Sequence, residues 1–61
     1  MVTKCYLLDK GIKTTAAISK IATLFPCFID VRAVTATRFE FYVKCRVEDV
    51  RFIEKILAPF V

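Results

Sequence analysis

The chain has 61 residues, 57% of them hydrophobic, and ten basic against six acidic side chains give it a net charge of +4. A chain of this length forms one domain, residues 1–61, and buries only about 60% of the surface that it exposes when unfolded. Its core supplies roughly 3–5 kcal/mol, so domains of this size usually gain stability from a disulfide, a metal or a second subunit. The hydrophobic fraction therefore predicts that apolar surface is buried against a second copy or a protein partner.

The chain carries no sign of a membrane segment, a leader or a metal site. It lacks the run of about eighteen apolar residues that crosses a bilayer and the apolar stretch of a signal peptide, so we expect a cytosolic protein without membrane contact. Cys5, Cys27 and Cys45 are odd in number and form no Cys-x-x-Cys pair, which favours buried, reduced thiols. Because the sequence has no histidine, we expect neither a metal nor a cofactor.

The first strand is predicted over Thr3–Asp9, where polar and apolar residues alternate. Cys5 and Leu7 lie on one face, and the other face carries Lys4, Tyr6 and Leu8. Asp9-Lys10-Gly11 predicts a turn.

A helix is predicted from Thr14 to Phe25, because apolar residues recur there at offsets of three and four. These residues are Ala17, Ile18, Ile21, Leu24 and Phe25. Thr14 or Thr15 is expected to cap the start of the helix, and Pro26 ends it.

Two further strands are predicted over Cys27–Val34 and Arg38–Val47, joined by a turn at residues 35–37. The second of them alternates without interruption over five repeats, which is the strongest strand signal in the chain. Its apolar face carries Phe39, Phe41, Val43, Cys45 and Val47. A second helix is predicted over Glu48–Ala58, with acidic residues in its first turn and Pro59 after its end.

The order β-α-β-β-α, with one apolar face on every element, predicts an α+β fold of ferredoxin-like arrangement. We expect a three-stranded antiparallel sheet of order 1-3-2 with two helices on one face and without the fourth strand. Strand 1 is then an exposed edge, which invites pairing with a second copy or with a partner's strand. The candidate edge residues are Lys4, Cys5, Tyr6, Leu7 and Leu8.

The outer face of the sheet is the second candidate surface. Its predicted binding residues are Tyr6, Arg32, Val34, Tyr42, Lys44 and Arg46. They suit a protein interface with a charged rim, and they also suit single-stranded nucleic acid, whose bases stack on aromatic rings while basic side chains contact the phosphates. We expect a homodimer or a protein partner first and RNA as the alternative.

Catalysis is not expected. A chain without histidine has no imidazole base, and the carboxylates of Asp30 and Glu40 are predicted to form cross-strand ion pairs with basic neighbours. Gly11-Ile12-Lys13-Thr14-Thr15 lacks the spacing of a phosphate loop. What remains there is a helix N-terminus, which is either an ordinary cap or a weak anion site formed by Lys10, Lys13 and Thr14.

Residues Asp9–Leu24, 29–31, Phe39–Val47 and Glu48–Leu57 together resemble the ACT regulatory domain over nearly the whole chain. The resemblance implies paired sheets that sense amino acids at a dimer interface, close to Asp9 and Gly11. Amino-acid sensing is therefore a third interpretation, although a small molecule is the partner class that we least expect.

Residues 24–25, 29–32, 38–43 and 48–50 look like an RNA-recognition motif, which implies that Tyr6 and Tyr42 are its stacking aromatics. Glu40 and Phe39 stand where that family has an aromatic residue and a glycine. Residues 11–17 are similar to the active-site start of the histidine phosphocarrier family. There Lys13 stands in place of the phosphorylated histidine, which excludes that activity.

Overall fold

Three strands and two helices follow one another through short connections in the computed structural model, which describes all residues from Met1 to Val61. The elements are β1 (Val2–Asp9), α1 (Ile12–Leu24), β2 (Phe28–Ala33), β3 (Arg38–Cys45) and α2 (Val50–Leu57). Short 3₁₀ turns at Val47–Asp49 and Ala58–Phe60 flank α2. No helix is long and apolar enough to span a membrane.

β3 is the central strand of the sheet. It pairs antiparallel with β1 on one side and with β2 on the other, in the order β1-β3-β2. Phe41 lies opposite Tyr6 on β1 and opposite Val31 on β2. The predicted α+β, ferredoxin-like arrangement with a three-stranded sheet is confirmed.

One core joins the sheet to both helices. Seven buried side chains form it: Leu8, Ile21, Phe41, Val43, Cys45, Ile53 and Leu57. Three of them come from alternate positions of β3, as the period-two pattern predicted, and the others come from β1, α1 and α2. Both helices therefore cover the same face of the sheet, because one sheet face and one stripe of each helix are buried together.

The face of β1 that packs under the helices is the opposite of the one predicted. Leu8 is completely buried, and the ring of Tyr6 packs on the core with its centroid 6.4 Å from that of Phe41. The predicted outward placement of Tyr6 and Leu8 is therefore wrong. Each face of β1 carries both polar and apolar side chains. Burying Tyr6 and Leu8 removes more apolar surface from water than burying Cys5 and Leu7, because Tyr6 contributes an aromatic ring. Cys5 and Leu7 lie on the outer face instead.

Helix α1 starts earlier than the sequence predicted. Its N-cap is Gly11, with no side-chain cap, so the predicted capping by Thr14 or Thr15 is wrong. The Thr14 hydroxyl is buried and donates a hydrogen bond of 2.6 Å to the carbonyl oxygen of Asp9. Thr14 thereby ties the first turn of α1 to the end of β1, which lets the helix begin at Ile12.

The third strand ends at Cys45, before the predicted end at Val47. The Arg46 guanidinium donates to the Asp49 carboxylate through Nε at 3.0 Å and through a terminal nitrogen at 3.4 Å. This contact turns the chain into α2, so Arg46 does not lie on the outer sheet face. Val47, predicted to face the core, is 68% exposed.

Replacing Phe41 by alanine should unfold most of the protein. Deleting a buried phenylalanine side chain costs about 3–5 kcal/mol, which matches the roughly 3–5 kcal/mol expected for so small a core. Urea denaturation followed by circular dichroism measures the loss. The control is Ile12→Ala, at a side chain that is 90% exposed, where a change within about 0.5 kcal/mol is expected. Equal stability of the Phe41→Ala variant and the unmodified protein would contradict this core.

Candidate interaction surface

The outer edge of β1 has no strand beside it, and the register identifies its free backbone groups. The Lys10 N–H donates to the Thr37 carbonyl at 2.9 Å, in line with the β1–β3 register. Residues of an antiparallel pair alternate between hydrogen-bonded and non-hydrogen-bonded positions. Counted back in twos from Lys10, the even-numbered residues of β1 bond to β3. The odd-numbered ones direct their N–H and C=O groups out of the sheet: Thr3, Cys5, Leu7 and Asp9. We call these four residues the open edge.

The open edge carries little of the protection that natural sheets give to exposed edges. Proline, bulges and inward-pointing charges commonly block strand addition. β1 contains no proline, and its eight residues pair with β3 in an unbroken register from Val2 to Asp9. Lys4, on the helix side near the start of the strand, is the one inward-pointing charge. Leu7, in the middle of the open edge, is 49% exposed. The edge therefore presents the unpaired backbone of Thr3, Cys5 and Leu7, and the Asp9 N–H, beside an apolar side chain.

A groove lies beside β1 on the helix side. It has a volume of about 510 Å³. Its walls come from the first half of β1 and from the start of α2: Val2, Lys4, Val47, Glu48, Val50, Arg51 and Glu54. We call it the edge groove. Its valines offer apolar contact and its rim carries charges of both signs, so it can hold side chains that a further strand would direct toward the helices.

Tyr6 links β1 to α2 at this groove. Its hydroxyl donates a hydrogen bond of 2.8 Å to the Glu54 carboxylate. Burial, followed by that hydrogen bond to an anion, raises the pKa of Tyr6 above its ordinary value. Lys4 lines the same groove and is exposed, but it forms no ion pair within the chain. Glu54 is thus held by a neutral hydroxyl and forms no ion pair within the chain, although Lys4 and Arg51 line the same groove.

The outer sheet face forms a grid of twelve positions, four from each strand. β1 contributes Thr3, Cys5, Leu7 and Asp9; β3 contributes Lys44, Tyr42, Glu40 and Arg38; β2 contributes Phe28, Asp30 and Arg32, followed by Val34. Its three cations are matched by three carboxylates. Arg32 pairs with Asp30 at 3.2 Å, and Arg38 pairs with Asp9 at 3.2 Å. The face is therefore electrically neutral, not basic as its lysine and arginines suggested.

Tyr42 occupies the centre of this grid, as predicted, and its contacts are satisfied within the protein. Its hydroxyl donates to the Glu40 carboxylate, and the Arg32 guanidinium lies over its ring, 5.7 Å from the centroid. The bond to Glu40, followed by burial, raises the pKa of Tyr42 to about 12. With Arg32 over its ring, Tyr42 is less open to a stacking base than a bare aromatic side chain.

The remaining predicted site residues lie at the end of this surface or apart from it. Val34 follows the end of β2 and is 45% exposed beside the β2–β3 turn. Of the three residues of the predicted anion site, Lys13 is exposed, Lys10 lies over the Phe39 ring at 5.5 Å, and the Thr14 hydroxyl is bonded to the backbone. The start of α1 therefore has two cations nearby, but its threonine hydroxyl is already occupied.

The three cysteines lie in different environments. Cys45 is buried in the core and Cys27 is half-buried, and burial raises the pKa of both thiols. Cys5 is exposed on the open edge, so the prediction of three buried thiols fails at this position. Cys5 lies opposite Tyr42 in the register, at the middle of the outer face. Among the thiols it is the one that a reagent or a partner can reach.

Some surface residues were missed by sequence reasoning, although one of them had a detectable signal. Phe28 has the same parity as Asp30 and Arg32, so counting back by two along β2 places it on the outer face, where it is 71% exposed. Thr3 and Phe28 flank Lys44 in the register. The edge groove had no comparable signal, because its walls are far apart in sequence and meet only through the packing of α2 on β1.

Together these features define a small ferredoxin-like α+β domain with an open strand edge. Comparison with protein-family models, with curated proteins and with solved structures gave no significant match.

The two tyrosines predict a loss of stability in alkali. A phenol whose pKa is raised by folding stabilises the protein fully below its ordinary value near 10, and this contribution is lost as the pH rises through the folded value. Unfolding free energy should therefore fall above about pH 10. Tyr6→Phe should cost about 1 kcal/mol at neutral pH and should reduce the alkaline slope.

Tyrosinate absorbance and denaturant titrations at several pH values provide the measurement. Tyr42→Phe is the matched control, because it removes the other phenol and leaves the bond to Glu54 intact. Ionisation of both tyrosines at the ordinary value in the folded protein would contradict the contacts with Glu54 and Glu40.

Proposed function

We propose that this domain is a non-enzymatic interaction module that binds by accepting a β-strand of a partner onto the open edge of β1. The observation that carries the proposal is the row of unpaired backbone groups at Thr3, Cys5 and Leu7, which the Asp9 N–H extends; the Asp9 carbonyl accepts the Thr14 hydroxyl. An extended segment that pairs with an exposed edge gains main-chain hydrogen bonds along the strand, and its alternate side chains enter pockets beside it. The edge groove provides such a pocket on the helix side.

The charges of the chain support a binding role over a catalytic one. All six carboxylates are engaged by a neighbour within the protein. Asp9, Asp30, Glu48 and Asp49 pair with arginines, and Glu40 and Glu54 accept tyrosine hydroxyls. A general acid or base must be free to exchange a proton with a substrate. The six carboxylates therefore serve structural contacts and are not free to exchange a proton with a substrate.

A second candidate function is the binding of single-stranded nucleic acid on the outer face. Tyr42, Phe28 and Lys44 support it, since aromatic rings and a cation are present there. Three features weigh against it: Tyr6 faces the helices, Arg32 lies over the Tyr42 ring, and the charges of the face cancel. Phosphate contacts supply most of the non-specific affinity for nucleic acid, so a neutral face is a poor surface for it.

Amino-acid sensing is the third candidate and depends on a dimer. At the loop where the ACT-like site would lie, the Asp9 carboxylate pairs with Arg38 and the Asp9 carbonyl accepts the Thr14 hydroxyl. Both groups are thus committed within one copy, which gives this interpretation less support than strand addition.

Amide hydrogen exchange tests strand addition directly. In dilute protein, an end-blocked synthetic peptide with the sequence of residues 2–9 should slow exchange at the open-edge amides of Cys5 and Leu7 several-fold, because each gains a carbonyl acceptor. The control lies within the same chain: the outward amides on the opposite edge, at Ile29 and Val31, should keep their rates. Unchanged rates at Cys5 and Leu7, with this peptide and with a peptide of alternating valine and threonine, would contradict the proposal.

For nucleic acid, we expect no binding of single-stranded RNA at low salt, because the outer face is neutral and its tyrosine is covered. Fluorescence anisotropy with a labelled oligouridine at two salt concentrations is the measurement, and Tyr42→Ala is the diagnostic variant. Binding that weakens steeply as salt rises, with a loss of about 1–3 kcal/mol in the Tyr42→Ala variant, would establish the nucleic-acid function instead.

A further inference from the structure

We infer that the partner strand is β1 of a second copy, paired antiparallel about a two-fold axis that passes beside Cys5. This inference rests on the proposed function, and it adds the identity of the partner and the register of the contact. The two sheets would join into one of six strands, with all four helices on the same side, because an axis normal to the sheet keeps each protomer's helices on their original face.

Backbone alternation limits the registers that two copies of β1 can adopt. Only the odd-numbered residues direct N–H and C=O groups outward, so an antiparallel pair must place odd residues opposite odd residues. A symmetric pair meets this condition when the two-fold axis lies beside one residue, so that this residue faces its own copy, and fails it when the axis lies between two residues. Within Val2–Asp9 the registers centred on Cys5 and on Tyr6 overlap most of the strand, and those centred on Lys4 and on Leu7 overlap a shorter part of it.

The register centred on Leu7 pairs two residues fewer than the one centred on Cys5, and electrostatics separates the other three. Centring on Lys4 places this lysine opposite its own copy, and like charges directly opposite each other destabilise a strand pair. Centring on Tyr6 brings the two Tyr6 side chains together, and with them the two Glu54 carboxylates to which they are bonded. Both alternatives therefore concentrate charge of one sign at the axis.

The register centred on Cys5 produces the opposite result. It sets Lys4 directly opposite Tyr6 of the second copy, on the helix side of the joined sheet. The Tyr6 hydroxyl is bonded to Glu54, so the Lys4 ammonium comes within reach of a carboxylate on the other protomer that forms no ion pair of its own. The two-fold axis forms this ion pair twice. Lys4 and Glu54, which lack an ionic partner within one copy, then satisfy each other across the interface.

On the outer face the same register pairs Cys5 with Cys5 and Thr3 with Leu7. Residues in a hydrogen-bonded antiparallel pair have Cα atoms about 5.5 Å apart, which lies within the range of roughly 4.4–6.8 Å that a disulfide requires. Cys5 is exposed and can therefore report on the register. The contact itself needs no disulfide, and the thiols serve as a probe.

Oxidation with copper-phenanthroline, which removes two electrons and two protons from a thiol pair, tests the register on the folded protein. We expect most of the chain to run as a disulfide-linked dimer on a non-reducing gel, and Cys5→Ser to abolish it. In the double variant Thr3→Cys with Cys5→Ser, the thiol at position 3 faces Leu7 of the second copy. The two position-3 thiols are then four residues apart, about 13 Å along the strand, so this variant should not cross-link. Adding Leu7→Cys to that variant should restore cross-linking, since Thr3 and Leu7 face each other.

Two proline variants show whether the dimer uses the open edge. Leu7→Pro removes an outward N–H and should abolish the cross-link, whereas Ala33→Pro removes an outward N–H on the opposite edge and should leave it intact. Circular dichroism confirms that both variants are folded. Rapid cross-linking of the double variant Leu7→Cys with Cys5→Ser would overturn this register in favour of one centred on Leu7, in which the two Leu7 residues face each other.

The remaining outcomes separate this inference from the proposed function. A monomer by light scattering whose Cys5 and Leu7 amides are protected by added peptide overturns the self-pairing and leaves strand addition standing. A dimer that persists equally in Leu7→Pro and Ala33→Pro overturns the self-pairing, and unchanged exchange at Cys5 and Leu7 with added peptide overturns both.

Discussion

Hydrogen bonding on both sides of β3 is the constraint on which the other features of this domain depend. Its odd-numbered residues bond to β1 and its even-numbered residues bond to β2, as the contacts of Thr37 and Arg38 at the strand's start show. This alternation directs Phe41, Val43 and Cys45 into the core and the residues between them outward. It also determines which backbone groups of each edge strand remain free. A slip of one residue would expose the core face of the slipped strand, so the position of the open edge and the packing of the core are fixed together.

The sequence predicted the fold well where the alternation of polar and apolar residues identified a single buried face. β3 alternates strictly, and its inward residues are the predicted ones. In β1 either face could be the buried one, because Cys5 and Leu7 lie on one face and Tyr6 and Leu8 on the other. The choice depends on how well each set packs against α2, and the bond from Tyr6 to Glu54 joins residues 48 positions apart. No local pattern contains that contact.

Other differences have the same origin in specific side-chain contacts. The alternating pattern of β3 continues to Val47, but the bonds from Arg46 to Asp49 end the strand two residues earlier. Threonine is a common helix cap, yet the buried Thr14 hydroxyl donates a hydrogen bond to a carbonyl at the end of β1 instead. The sequence does not determine which of several partners a polar side chain contacts, because tertiary packing makes that choice.

The distribution of charge explains why a basic protein presents a neutral sheet. Arginines pair with four of the six carboxylates, and tyrosine hydroxyls hold the other two. The net charge of +4 is therefore carried mostly by lysines, of which only Lys44 lies on the outer face. Composition alone suggested an affinity for polyanions, whereas the paired charges leave the outer face without a net positive charge for such a partner. Lys4 is the cation best placed to act in the contact with a partner strand.

An isotope-filtered nuclear Overhauser experiment on a mixture of labelled and unlabelled chains would test the central claim most directly. Non-hydrogen-bonded pairs of an antiparallel sheet bring their α-protons close together, and in the self-paired edge these pairs are even-numbered residues. The account predicts a contact between the α-protons of Lys4 in one chain and Tyr6 in the other. A spectrum that connects Tyr6 with Tyr6, or one without any contact between chains at a concentration where the protein is dimeric, would contradict it.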